Sequence, residues 1–239
     1  MLIAVANDTG VQGGLSALAG QFGGLASLAG VNLGGGGNKG EAVATMSSRA
    51  LTEAYINQQD LLPILFAKRW DVAKGIFVPD AKGKTPTAWD GNNLFAKQIR
   101  RIVEDKKTGL VTLAIEWEDP ARAAQWANDI VRLTNQTLRD RAIANSNHNL
   151  VYLNEQLEKS SVVELRQAIF NLIETEVKNV MVAQGSQEYV FKVIDPAVVP
   201  QQKAKPNRSL IVAVGLLLGF IFSSLYALAK GSAKRGSPA

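Results

Sequence analysis

Apolar residues change their spacing several times along the chain, and each change predicts an element. Met1–Ala6 is a short apolar run whose length and alternation predict a β-strand. No basic segment precedes it, and six residues are too few for a secretion signal or a membrane span. A small-residue repeat follows, Gly13–Gly20 (GGLSALAG) and Gly23–Gly30 (GGLASLAG), whose evenly placed leucines predict short helical turns against another surface, such as a neighbouring subunit. Over Glu41–Gln58, Val43, Met46, Ala50, Leu51, Ala54 and Tyr55 fall near helical spacing and predict one helix. Leu61 to about Trp89, interrupted by Pro, Gly and Lys, reads as short elements and loops. Strict alternation then appears. Val111, Leu113, Ile115 and Trp117 take one face and Thr112, Ala114 and Glu116 the other, so Ile99–Glu104 and Leu110–Trp117 form a hairpin around Asp105–Gly109.

Asp119 is placed to cap a helix, and Pro120 sits at its first position, where a missing N–H costs nothing. From Ala121 to Ser160 there is neither Pro nor Gly. Unbroken, these forty residues reach roughly 60 Å, longer than a domain of this size is wide, so the helix must project. A break near Asn147 is the alternative, because asparagines are weak helix formers. Leu150, Leu153 and Leu157 make an apolar stripe near its end. Ser161-Val162-Val163-Glu164 has the form of a capping box and starts a second helix, with Leu165, Ile169 and Leu172 on its stripe. These six residues are the expected stalk-packing set. Gly185 ends the second helix and Glu188–Ile194 reads as a strand, so the chain goes out, returns and re-enters its base.

Leu210–Ala229 is an uncharged run of twenty residues, about 30 Å as a helix, which predicts a C-terminal transmembrane helix. Ser223, Ser224 and Tyr226 are its polar side chains. Gly215 and Gly219 within it form a G-x-x-x-G pair that would let a second span approach closely. The expected organisation is a base with helical stalk over 1–195 (helical from about 119 to 184), a Pro/Lys linker at 196–209, the span at 210–229 and a basic tail at 230–239.

The formal charge of +5 is misleading. Lys203, Lys205, Arg208, Lys230, Lys234 and Arg235 all lie after position 200, where no acid accompanies them. The body is thus nearly neutral, and a nucleic-acid partner is not expected. Zero Cys and one His exclude thiolate chemistry, zinc–thiolate sites and two-histidine metal motifs. Gly35, Gly37 and Gly40 formally satisfy G-x-G-x-x-G, but no buried strand feeds the loop and Lys39 is followed by Gly40 rather than Ser or Thr. The adjacent acids Glu104/Asp105 and Glu116/Glu118 read as solvated surface, as does His148. No catalytic residue, cofactor or metal site is expected, and the chain reads as non-enzymatic.

The segments Asp105–Thr112 (DKKTGLVT), Glu116-Trp117-x-Asp119-Pro120 and Val163–Gln167 (VELRQ) resemble the polysaccharide chain-length determinant (Wzz-type) family. So do Tyr189-x-Phe191-x-Val193-Ile194-Asp195-Pro196-Ala197 and the Pro-Asn-Arg entry at Pro206–Arg208. The resemblance implies an α+β protein of the bacterial inner membrane, with a small mixed-sheet base facing the periplasm, long projecting helices and two transmembrane helices. The first of these would precede the strand in which this sequence opens. Lys203 and Lys205 interrupt the family's proline-rich linker. The resemblance further implies a membrane-anchored homo-oligomer that contacts membrane lipid, a polysaccharide polymerase and the growing glycan, and that regulates O-antigen or lipopolysaccharide chain length as a co-polymerase. Two other readings stand beside it. One is a capsule or exopolysaccharide export co-polymerase working with a separate tyrosine kinase; the other is a tail-anchored coiled-coil scaffold.

Overall fold

A computed structural model describes residues 1–5, 36–200, 212 and 214–218. The glycine–leucine repeat, most of the linker and most of 210–229 lie outside the described residues. The chain divides into two compact units, Met1–Val199 and Pro200–Ala239.

The N-terminal apolar run is strand β1 (Leu2–Val5), and it occupies an interior place in a four-stranded sheet. Its neighbours are β5 (Val111–Ile115) and β6 (Phe191–Asp195), while β4 (Arg100–Glu104) extends the β5 edge, giving the order β4-β5-β1-β6. Every pairing in this sheet is antiparallel, so the expected mixed sheet is corrected. The connection explains the difference. An outgoing and returning helix pair brings β6 back running in the same direction as β5, and β1 enters between them in the opposite sense. Ile3 faces Val111 on one side and Val193 on the other, with a register shift between Leu2 and Ile3 on the β6 side. The β4–β5 hairpin closes as its sequence predicts, with Gly109 at φ 73, a left-handed conformation that favours glycine. A two-stranded ribbon, β2 (Trp70–Asp71) with β3 (Ile76–Phe77), lies in the region read as loops.

Glu41–Gln58 forms two helices instead of one: α1 (Gly36–Ser47) and α2 (Arg49–Gln58). Ser48 breaks the run by adopting an extended conformation and capping α2 through its hydroxyl, which accepts from the Leu51 amide. The carbonyls freed at the end of α1 are taken by Arg100. Its guanidinium donates to Met46 O and Ser47 O, each at 2.7 Å, and to Thr52 Oγ1 at 2.8 Å. Burial lowers the pKa of this arginine below its usual value.

Short helix α3 (Leu62–Leu65) and helix α4 (Ala88–Leu94) follow, the latter opened by a reciprocal capping box between Thr87 and Asp90. Gly91 in α4 sits where a Cβ would lie 2.8 Å from Ile56 Cδ1, so α2 and α4 pack closely there and a larger residue would have to push the end of the Ile56 side chain aside. One core joins these helices to the sheet, with Ile3, Met46, Tyr55, Ile56, Phe95, Val111, Leu113 and Phe191 essentially inaccessible.

Helix α5 (Pro120–Lys159) is continuous for 40 residues, with no break at Asn147, and α6 (Val163–Gly185) returns beside it. Asp119 caps α5 as expected, accepting from the Ala121 and Arg122 amides. The capping box expected at Ser161–Glu164 does not form. Val162 is the N-cap residue, with no side-chain bond, and the one-residue shift moves Glu164 out of the position a box needs.

Among the described residues no helix is long and apolar enough to cross a membrane, which corrects the expected C-terminal transmembrane helix. Of the expected span, residues 212 and 214–218 are described, as helix, and the rest lie outside the described residues.

Candidate functional site

The candidate site is the α5–α6 hairpin and the place where it is rooted. Trp126, Ala127, Ile130, Val131 and Leu138 bury the first half of α5 in the core. Two asparagines on the same side of that half, two turns apart, hold the returning chain. Asn135 is buried. Its Nδ2 donates to Phe191 O at 2.8 Å, while its Oδ1 accepts from the Phe191 amide at 2.7 Å and the Val190 amide at 3.1 Å. Asn128 repeats the arrangement on Ala197, donating to its carbonyl at 2.9 Å and accepting from its amide at 3.1 Å. A backbone that would otherwise bury unpaired polar groups is thereby tied to the helix. Sequence reading missed both clamps, although polar residues seven apart on an apolar helix face were a visible signal.

Beyond Leu138 the burial of α5 thins, and Ser146 is its one further buried residue. From there α5 and α6 run antiparallel against each other. Asn149 Nδ2 meets Glu176 Oε1 at 2.9 Å, and near the turn Arg166 donates to the carbonyls of Leu157 and Ser160. On α6 the less exposed positions are Arg166, Ile169, Ile173, Glu176, Val180 and Ala183, a spacing of alternating three and four that makes one seam. Leu150, Leu153 and Leu157 are half-buried on α5, and Ile169 is buried on α6. Leu165 and Leu172, by contrast, face outward at 51% and 54% exposure.

Those two leucines are part of a larger pattern. Val163, Phe170, Val177 and Met181 are also exposed, and helical geometry puts them together on the opposite flank of the seam from Leu165 and Leu172. Helix α6 therefore carries apolar side chains on both sides of the face it buries. A solitary two-helix hairpin needs only the seam; apolar flanks of this extent are the pattern of a helix with further neighbours.

Gly215 is described with open space where a Cβ would stand, and Gly219 lies outside the described residues. Lys39, the lysine of the glycine-rich segment, forms an ion pair with Glu104 at 2.7 Å. Asp105 organises the hairpin turn, and hydrogen bonds from the Lys107 amide and the Thr108 hydroxyl hold its carboxyl below the usual range. His148 is exposed. Among the described residues no group of three His, Cys, Asp or Glu side chains could hold a metal ion.

No curated relative matches the chain. Residues 154–232 match the family model described as "G-rich domain on putative tyrosine kinase". The matched segment starts in the last turns of α5 and takes in all of α6 and β6. This supports a polysaccharide co-polymerase or export-related protein, a group whose members are generally regulatory and not enzymatic. Over 154–232 the chain is thus similar to the G-rich domain on putative tyrosine kinases, which is consistent with its resemblance to the chain-length determinants.

Proposed function

We propose that this protein regulates the chain length of a bacterial surface polysaccharide, of the O-antigen or lipopolysaccharide kind, as a homo-oligomeric co-polymerase. Its body works on the periplasmic side of the inner membrane, beside the polymerase and the growing glycan. The observation that carries the reading is the exposed apolar flanks of α6, inside the segment that matches the family. Side chains such as Phe170 and Val177 are stabilised by removal from water, and a second copy of the hairpin offers the same kind of surface in return. Assembly then sets a repeated, rigid surface next to the polymerase, and the size of that surface governs when elongation stops.

The paired substitution Phe170→Asp and Val177→Asp tests this. Both residues are exposed within the single chain, so the fold should persist while the assembly dissociates, as read by light scattering. Cells carrying the variant should still make polymer, with lengths no longer clustered about a mode. An unchanged particle size, or an unchanged length distribution from dissociated protein, would refute the reading. The wording of the matched family favours a second possibility, an export co-polymerase serving a separate tyrosine kinase. In that case polymer amount, and not only its length, should depend on the kinase.

A further inference from the structure

The base carries an open groove of about 510 Å3 next to the root of α5. Ile64 and Trp70 line it from the α3–β2 segment; Trp117, Glu118, Asp119 and Arg122 line it from the β5–α5 junction. Its volume falls within the ordinary range for small-molecule sites.

Both indoles are held from behind. Trp70 packs edge-on against Phe77 at 4.7 Å between ring centroids. Trp117 leans on Trp126 at 5.1 Å, and Trp126 in turn on buried Phe95 at 5.6 Å. Little rotamer freedom is therefore left to lose when something lies against these rings. The polar groups are similarly set. Asp119 is fixed by the two amides it caps, and Arg122 Nε meets its Oδ2 at 3.2 Å. Glu118 is exposed and makes no ion pair among the described residues.

This lining is selective. A cation would find the carboxylates and indoles attractive but would meet the Arg122 guanidinium. An anion would gain from Arg122 and lose to two carboxylates. A plain hydrocarbon would cover the tryptophans and strip water from three charged groups with nothing in exchange. A neutral ring with an apolar C–H face and a rim of hydroxyls satisfies both parts, stacking on indole while its hydroxyls donate to carboxylate and accept from guanidinium. We propose that this groove binds one or two sugar units of a neutral polysaccharide, with Trp70 and Trp117 as stacking platforms and Glu118 and Arg122 as hydroxyl partners. The proposal rests on the co-polymerase reading for the presence of a glycan, and it gives that glycan a point of contact on the base, away from the apolar flanks of α6.

The test uses the full chain and, as probe, oligosaccharides released by mild acid from the host's own surface polysaccharide. Titration followed by the indole N–H signals should move Trp70 and Trp117 and leave Trp89, which is exposed but not part of the groove lining. Trp70→Ala should weaken binding ~tenfold or more, and Glu118→Gln, at an exposed carboxylate that cannot disturb the core, by ~threefold. Binding that is unaffected by both substitutions would overturn the proposal. So would signals that respond to tetramethylammonium and not to the oligosaccharides. Absence of binding by a chain that still imposes a length mode in cells would overturn the groove and leave the co-polymerase reading standing. Binding by a chain whose deletion leaves the lengths unchanged would overturn the co-polymerase reading and leave the groove.

Discussion

Asn135→Ala is the sharpest probe of how the stalk is rooted. The side chain is buried and makes three hydrogen bonds, one from its amide to Phe191 O and two to its oxygen from the Val190 and Phe191 amides. Alanine preserves helix α5, since it is the best helix former, so the change falls on the clamp and not on the helix. Each bond contributes about 1 kcal/mol net, and a buried backbone group left without a partner costs about 1–3 kcal/mol. Water entering the small gap would recover part of this, so the expected loss is about 3 kcal/mol. For a unit of this size that corresponds to a fall in Tm of about 6–12 °C. Gln136→Ala, one residue on and exposed, is the control and should stay within about 0.5 kcal/mol of the parent. Chemical denaturation of the two variants, with the slope on denaturant checked for constancy, reads the difference. A loss below about 1 kcal/mol for Asn135→Ala would show that the returning chain is held by the sheet and that the clamp adds little.

Three further outcomes are expected. Leu153→Asp, in the half-buried seam of the hairpin, removes about 1.5 kcal/mol of burial and adds the cost of desolvating a charge, so particle size and length control should both be lost while exposed Asn147→Ser changes neither; complete loss of polymer with normal protein levels would contradict a regulatory role. Gly91→Ala places a methyl group 2.8 Å from Ile56 Cδ1 in the packed core and should destabilise the base by about 1 kcal/mol in thermal unfolding, whereas a neutral result would show that the end of the Ile56 side chain turns aside freely. Tyr55 donates to Asp129 Oδ2 at 3.2 Å, and burial, then the Asp129 charge, raise its pKa above the ordinary tyrosine value. A raised folded-state pKa means the stabilisation is present below the unfolded value of about 10 and is lost as pH climbs above it. Stability measured from pH 8 to 11 should therefore fall less in Tyr55→Phe than in the parent, and parallel curves would refute the assignment.

The legible parts of this protein are those governed by neighbours in the chain. The Val111–Ile115 alternation gave a strand with the expected inner face, Asp119-Pro120 marked the start of α5 to the residue, and uninterrupted helix formers carried α5 through its asparagine-rich middle. Local signals failed at two helix starts. Ser161 and Glu164 have the right spacing for a cap, but Val162 takes the N-cap position and the helix starts one residue late. Glu41–Gln58 has helical periodicity throughout, yet it breaks at Ser48, where Arg100 donates to the two freed carbonyls from 53 and 54 residues away in the sequence.

Period, capping chemistry and composition thus choose helix or strand for the long, regular segments, because backbone sterics and hydrogen bonding within a few residues are enough to decide there. They also single out the out-and-back hairpin, since forty helical residues cannot be folded inside a body of this size. Which side of that hairpin is covered was open until the fold was known. Leu165 and Ile169 have the same hydrophobicity and share one stripe, but burial depends on the position of α5, and Leu165 remains exposed while Ile169 is buried. The antiparallel sheet with β1 in its interior, the Asn128 and Asn135 clamps and the convergence of Trp70 with Trp117 have the same origin. Each joins segments tens of residues apart, and only the packing of the complete core brings such segments within contact distance.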